Sequence, residues 1–255
     1  MLGKVFERFV DKSPISVMVR GTLERVLGAE QLDAWYERTA HKQYTRTLLF
    51  STVYALLSHV VFRIQPSVHA AYRTREDTVG TSLISVYNKL HGVETHTSAE
   101  LVRYSATVVR PLIEQVGGTC APWVPGMRVK IVDGNCLEAT EHRLKELRTL
   151  QAGALPGKSL VVDEPAQGLV TDVFPCEEGH AQERSLCGEV LETVYAGDLW
   201  MQDRNCCPCG FLCEIDTRGA GFITRQHAGL PFEVVSTLRA VGRIETGQVA
   251  AQRVQ

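Results

Sequence analysis

The chain has 255 residues, 44% of them hydrophobic and 22% charged, which is enough apolar material for a real core in one large domain or two smaller ones. A formal net charge of −2 excludes the strongly basic balance with which a whole chain clings to nucleic acid. The charge is nonetheless uneven. Up to Arg128 there are 15 Lys+Arg against 11 Asp+Glu, and beyond it 12 against 18, a pattern that fits a DNA-facing region followed by a metal-binding one. The opening "MLGKVFERFV" has no continuous apolar run and no small-residue cleavage site, so a cytoplasmic location is expected. There the eight cysteines stay reduced rather than forming a disulfide framework.

In chain order, residues 1 to about 120 read as helical. "TLLFSTVYALLSHVVF" (47–62) is interrupted by Ser51, Thr52, Ser58 and His59, so it falls short of a membrane span and reads as a buried helix. "TSLISVYNKL" sets Leu83, Val86, Tyr87 and Leu90 on one helical face. "TSAELVRYSATVVRPLIEQVGG" is expected to be capped by Thr97 and Ser98, to be kinked or split at Pro111, and to stop at Gly117-Gly118. "CAPWVPG" (120–126) reads as a loop and a domain boundary. Next come a strand "MRVKIVDGN" ending in Asp-Gly, then "KSLVVDEP" and "QGLVTDVFP" joined by a hairpin across "EPAQG". "GHAQERSLCGEVLETVYAG" reads as a helix stopped by Gly197, "DLWMQD" as a strand, "PCGFLCEIDTRG" as a short helix with Pro208 in its first turn, and "AGFITRQ" as a fifth strand. Three meandering strands, a crossover helix, then strand, helix and strand predict a mixed α/β sheet with flanking helices. In the last segment, the alternation Val241, Arg243, Glu245 and Val249 looks like the start of further strands.

Two aspartates stand at expected strand ends. Asp133 closes "VKIVD" and Asp203 closes "LWMQD". Ligands of α/β sheets gather at strand carboxyl ends, and two neighbouring carboxylates can hold a hard cation through oxygen. Cations held this way clamp the attacking and leaving oxygens of a phosphodiester. The competing reading of an Asp before Gly is a turn residue. Asp163 and Asp172 flank the hairpin and read as turn or strand-edge residues, while Asp198 precedes its strand and is expected to be exposed.

Four stretches, "VKIVDGNCLEATEHRLKELR", "ALPGKSLVVDEPAQGLVTDVFPCEEGHAQERSL", "LWMQDRNCCPCGFL" and "GAGFITRQHAGLPFE", together resemble DDE-type insertion-sequence transposases. The resemblance is to the branch with a ribonuclease H-like core and a β-rich insertion before the last catalytic residue, and it runs from about residue 80 onward. It implies three regions: a helical DNA-binding and assembly region at 1–125, a partial ribonuclease H-like core at 126–228, and the start of a β-rich insertion at 229–255. Asp133 matches the first catalytic aspartate in its Asp-Gly-Asn motif, and Asp203 the second in Asp-Arg-Asn, with Arg204 and Asn205 as DNA-contact candidates from the same motif. The implied cofactor is Mg²⁺ or Mn²⁺, and the implied chemistry is DNA transposition by strand cleavage and strand transfer. The implied partners are double-stranded DNA at transposon ends and a second transposase chain, as a homodimer or with the full-length enzyme; no membrane is expected. His180 and Glu183 fall in the family-like "GHAQER" stretch, where local helix-start structure is the competing reading. The third family residue, a glutamate in a Tyr-Arg-x-Arg-Trp-x-Ile-Glu type segment, has no counterpart, and Glu233 and Glu245 are not expected to replace it. The expectation is thus a truncated transposase that is inactive alone or, alternatively, a non-catalytic DNA-binding or inhibitory fragment that pairs with the full-length enzyme.

Arg63, Arg73, Arg75 and Arg103 are candidate phosphate contacts in the helical part, with an ordinary solvated helix face as the competing reading. Cys206, Cys207, Cys209 and Cys213 are dense, but structural zinc needs a second ligand pair, and Cys176, His180 and Cys187 do not form one by spacing. The cysteine cluster is therefore expected to be a turn and a helix packed behind Asp203, not a zinc site.

Overall fold

A computed structural model describes residues 10–41, 47–137, 157–176, 183–206, 208–226, 229 and 231–255. His180 and Cys207, and the side chain of Glu183, lie outside what is described. The helical part comprises α1 (Pro14–Leu27), α2 (Ala29–Thr39), α3 (Phe50–Val61), α4 (Val68–Arg73), α5 (Glu76–Val79), α6 (Leu83–His91) and α7 (Thr95–Gln115). Ser67 and Ser82 cap α4 and α6 by accepting from the backbone N–H three residues on. One apolar cluster joins Val53 and Leu56 of α3 to Ala71 and Tyr72 of α4 and Val86 of α6. A second packs Leu32, Trp35 and Tyr36 of α2 on Phe50, whose ring stacks on Tyr36 at 4.3 Å.

Three expectations in this part are corrected. Helix α3 is buried on one side only, with Val61 73% and Phe62 61% exposed. No helix among the described residues is long and apolar enough to cross a membrane. Helix α7 starts at Thr95 with Glu94 as its cap residue, so Thr97 and Ser98 sit inside the first turn rather than capping it. The helix is also not split at Pro111 but continues to Gln115. The proline removes one N–H, which would have bonded to the carbonyl of Thr107. Both residues lie on the exposed side, where water can serve that carbonyl instead.

The second part is a five-stranded mixed sheet flanked by helices. Its strands are β1 (Arg128–Leu137), β2 (Gly157–Glu164), β3 (Leu169–Cys176), β4 (Asp198–Gln202) and β5 (Gly221–Thr224). The order across the sheet is β3-β2-β1-β4-β5. β1, β2 and β3 are antiparallel neighbours, and β1, β4 and β5 run parallel. The β2–β3 hairpin turns at Gly168, whose φ of 60° suits a residue without Cβ. The predicted crossover helix is instead broken into a 3₁₀ turn (Glu183–Ser185), α8 (Cys187–Val190) and a second 3₁₀ turn (Leu191–Thr193). Helix α9 (Cys209–Thr217) follows β4, with Pro208 as its cap residue. One face of the sheet, bearing Val132, Leu160, Val162, Phe174 and Trp200, is sealed by Leu186, Val190 and Val194 and by Phe211, Leu212 and Ile215 of α9. A separate exposed hairpin, β6 (Arg239–Ile244) with β7 (Gly247–Ala251), accounts for the alternation near the end of the chain.

One predicted surface residue proves to be buried, and one predicted phosphate contact proves to be ion-paired within the fold. Asp198 is fully buried, with 0% exposure. Its Oδ1 accepts from Arg128 Nε at 2.6 Å, its Oδ2 lies 3.2 Å from Lys130 Nζ, and Oδ2 also accepts from the Tyr195 backbone at 3.0 Å. Lys130 donates as well to the Thr193 carbonyl at 2.7 Å. Burial pulls the Lys130 ammonium below its ordinary value of 10.5, against the opposing pull of Asp198. Arg103, a phosphate candidate by sequence, is likewise engaged: its Nε donates to buried Asp172 at 2.8 Å and its Nη1 to Glu100 at 2.6 Å. Burial raises the Asp172 carboxyl in spite of Arg103. One helical repeat further along α7, Arg110 grips both oxygens of buried Glu164 at 3.0 and 2.7 Å.

Removing Asp198 leaves Lys130 buried without its anion. We expect Asp198→Ala to cost about 3–5 kcal/mol at neutral pH by urea denaturation, as for other broken buried pairs. The unfolded chain then holds the Lys130 proton to higher pH than the folded one, so unfolding releases less stability as acidity rises. The deficit should therefore shrink as pH is raised toward 10.5, and a pH-independent deficit would contradict this account of Lys130.

Candidate functional site

Asp133 does not end its strand, contrary to the sequence reading: β1 continues through Gly134 to Leu137, paired with β2 all the way. What ends near Asp133 is the other ladder. The β1–β4 pairs run from Arg128↔Asp198 to Val132↔Gln202, and the aspartates follow that last pair, Asp133 within β1 and Asp203 just beyond β4. Parallel register thus sets the two aspartates abreast, on strands about 4.8 Å apart. Both are exposed, while Val132 and Gln202 just before them are buried.

Each carboxylate is oriented by local backbone. Asp133 Oδ1 accepts from the Gly134 N–H at 2.9 Å. Asp203 Oδ1 accepts from the N–H groups of Asn205 at 2.7 Å and Cys206 at 3.3 Å, capping the 3₁₀ turn Arg204–Cys206. Thr224 at the end of β5 donates to the Asp203 carbonyl at 3.1 Å, tying the turn to the sheet. Asp203 thus follows the last residue of β4 and opens the turn after it. Oδ2 of each aspartate has no hydrogen-bond partner among the described residues, which suits oxygen ligation of a hard divalent cation. Arg204 and Asn205 are exposed on the same turn.

The other candidates separate. Asp163 and Asp172 lie within β2 and β3, and burial together with the neighbouring Glu164 raises the Asp163 carboxyl. Glu233 pairs by backbone with Gln255, and Glu245 lies at the exposed β6–β7 turn. Among the described residues, the one group of three His, Cys, Asp or Glu side chains close enough to share an ion is His41, Glu94 and His96, so no third such residue joins Asp133 and Asp203. Arg73 is paired with Glu76 at 3.4 Å, whereas Arg63 and Arg75 are exposed. Cys206 and Cys187 are buried in the sheet core, and Cys209 and Cys213 are exposed one turn apart on α9. A hydrogen bond with Cys209 and that residue's charge raise the Cys213 thiol.

Sequence reasoning missed one feature of this region. A cavity of about 760 Å³ lies between α3, the α6–α7 junction and the uncovered face of the sheet, with Leu57, Val93, Leu101, Val161 and Val173 in its wall. Asn135, two residues beyond Asp133 on the same strand face, opens onto it. No motif announces a cavity formed by two regions far apart in sequence.

The capping role of Asp203 has a measurable consequence. Asp203→Ala removes the acceptor for two N–H groups and should lower stability by about 0.5–2 kcal/mol. Asp203→Asn keeps a capping oxygen and should lose only a few tenths of that scale by the same denaturation measurement; equal losses would refute the cap. A scan against models of known protein families and a search of curated proteins both find no match for this chain.

Proposed function

We propose that the chain is part of a DNA transposase of the insertion-sequence DDE type, with a ribonuclease H-like core that uses metal-dependent DNA strand cleavage and strand transfer. The observation that carries the reading is the register of β1 and β4, which brings Asp133 and Asp203 abreast at the end of their shared ladder. The mixed five-stranded sheet, antiparallel on one side of β1 and parallel on the other, supports that reading. Asp133 and Asp203 would hold Mg²⁺ or Mn²⁺ through oxygen, and the ion would supply charge neutralisation for the phosphodiester. In the cleavage step, water oxygen bonds to phosphorus and the P–O3′ bond breaks, leaving a 3′-hydroxyl. In strand transfer, that hydroxyl bonds to a target phosphorus and displaces the target's own 3′ oxygen. Arg204 and Asn205, exposed beside Asp203, are proposed to touch the DNA backbone.

Two carboxylates without a third among the described residues support metal and DNA binding better than turnover, so the chain by itself is proposed to be catalytically incomplete. The alternative, a fragment that holds DNA or a second transposase chain without cutting, draws on the same observation. The exposed Arg63 and Arg75 are its remaining phosphate candidates in the helical part.

The test replaces Mg²⁺ with Fe²⁺ and generates hydroxyl radicals with ascorbate and peroxide, then maps backbone cuts by mass spectrometry. Cuts near residues 133 and 203 are expected, suppressed by excess Mg²⁺ and lost in Asp133→Asn and in Asp203→Asn. Adding duplex DNA should tighten Mn²⁺ binding in titration, since phosphate oxygens complete the ion's shell. Cuts that survive both substitutions would sink the site, and Mn²⁺ binding indifferent to DNA would sink the DNA-processing role.

A further inference from the structure

A second group of ligand-type side chains lies in the helical part. His41 follows the end of α2, Glu94 is the cap residue of α7, and His96 lies in the first turn of α7. Their ligand atoms all lie within 4.8 Å of one another. We propose that His41, Glu94 and His96 form a binding site for one borderline divalent transition-metal ion, of the kind represented by Zn²⁺ and Co²⁺.

Four observations support it. First, the donor set is two imidazoles and one carboxylate, the mixture that suits zinc and its neighbours, whereas Mg²⁺ and Ca²⁺ take oxygen almost throughout. Second, the two imidazole rings are stacked, 4.6 Å between centroids and 19° from parallel, which holds the two side chains in contact. Third, His96 already has the outer partner that metal-bound histidines use. Its Nε2 lies 3.1 Å from the Thr39 carbonyl, which can only accept, a partner that leaves Nδ1 as the ring nitrogen open to a metal. Fourth, Glu94 stands at a helix N-terminus yet makes no side-chain cap to its own helix. Its Oε2 instead accepts from the His41 backbone N–H at 2.8 Å, across 53 residues of chain, which fixes the carboxylate beside the two rings.

Ligation at the usual zinc distances of about 2.0–2.1 Å closes tetrahedral ligand pairs to about 3.3 Å. The exposed His41 side chain is the one whose rotation, turning its ring out of the stack on His96, this closure calls for. Three protein ligands leave a fourth position for water, and the ion ties the end of α2 to the start of α7.

The experiment uses the full chain, stripped with a chelator and then titrated with Co²⁺ while visible absorption and heat are recorded. One Co²⁺ per chain is expected, with d–d bands of nitrogen and oxygen ligation, no thiolate charge-transfer band, and displacement by Zn²⁺. His41→Ala, a change at an exposed side chain, and His96→Asn should each weaken binding by more than the roughly 10–100-fold that loss of an outer-shell partner costs. The Cys209→Ser/Cys213→Ser and Asp133→Asn/Asp203→Asn double variants should bind Co²⁺ as the unsubstituted chain does. The proposal is overturned by the absence of stoichiometric binding, by binding that His41→Ala leaves intact, or by a thiolate band that disappears with Cys209 and Cys213.

Discussion

The buried carboxylate of Asp198 is the constraint on which the sheet, and with it the candidate site, depends. A fully buried anion survives only when paired and hydrogen-bonded. Asp198 meets that condition with Arg128 and Lys130 of β1 and the backbone of Tyr195. Arg128 is also its cross-strand partner, the first pair of the parallel β1–β4 ladder. Because strand side chains alternate faces, a slip of one residue would remove Lys130 from the anion and turn Val132 and Trp200 out of the core. Five residues along each strand from that first pair stand Asp133 and Asp203. The interaction that makes register unambiguous at one end of the ladder therefore decides which residues stand abreast at the other.

A second set of buried ion pairs joins the helical part to the sheet. Arg103 and Arg110 are seven residues apart on α7, so they share a face, and each reaches a buried carboxylate, Asp172 on β3 and Glu164 on β2. Each guanidinium stays partly exposed while its carboxylate is nearly enclosed, which lets the cation keep some hydration as it offsets the cost of burying the anion. This use of Arg103 removes it from the phosphate contacts that its position in a basic region suggested. A count of basic residues along a chain does not distinguish cations that face solvent from cations that neutralise a neighbouring strand.

That distinction accounts for what was legible in the sequence and what was not. All five sheet strands, the hairpin at Gly168 and the helix after Pro208 follow from short-range signals: apolar runs, turn residues and helical spacing. The failures are of another kind. Asp198 reads as a solvent-facing residue because aspartate before a strand usually is one, and its cations sit 68 and 70 residues away. Asp133 reads as a strand end because Asp-Gly usually turns, yet pairing with β2 carries β1 through it. Thr97 and Ser98 are good caps by type, but Thr97 is buried and α7 begins two residues before it. His41 and His96 carry no spacing signal at all, since the fold alone brings them together. For Asp198 and Asp133 a long-range partner overrides a sound local preference.

On the proposed reading, the site's own geometry argues for weak metal binding and strong dependence on substrate. Asp133 and Asp203 each commit one oxygen to neighbouring backbone N–H groups. That contact fixes the carboxylate orientation before any ion arrives, so less side-chain freedom is lost on binding. It also limits each aspartate to one ligating oxygen. Two such oxygens fill a third of an octahedral shell, and an ion of the magnesium kind takes the rest from water or from phosphate. Phosphate oxygens of a bound DNA strand would replace several waters at once, so the ion and the nucleic acid should each raise the other's affinity. The net charge of −2 then ceases to be an argument against DNA: the attraction would come from an ion placed at two aspartates, where no excess of lysine and arginine is needed.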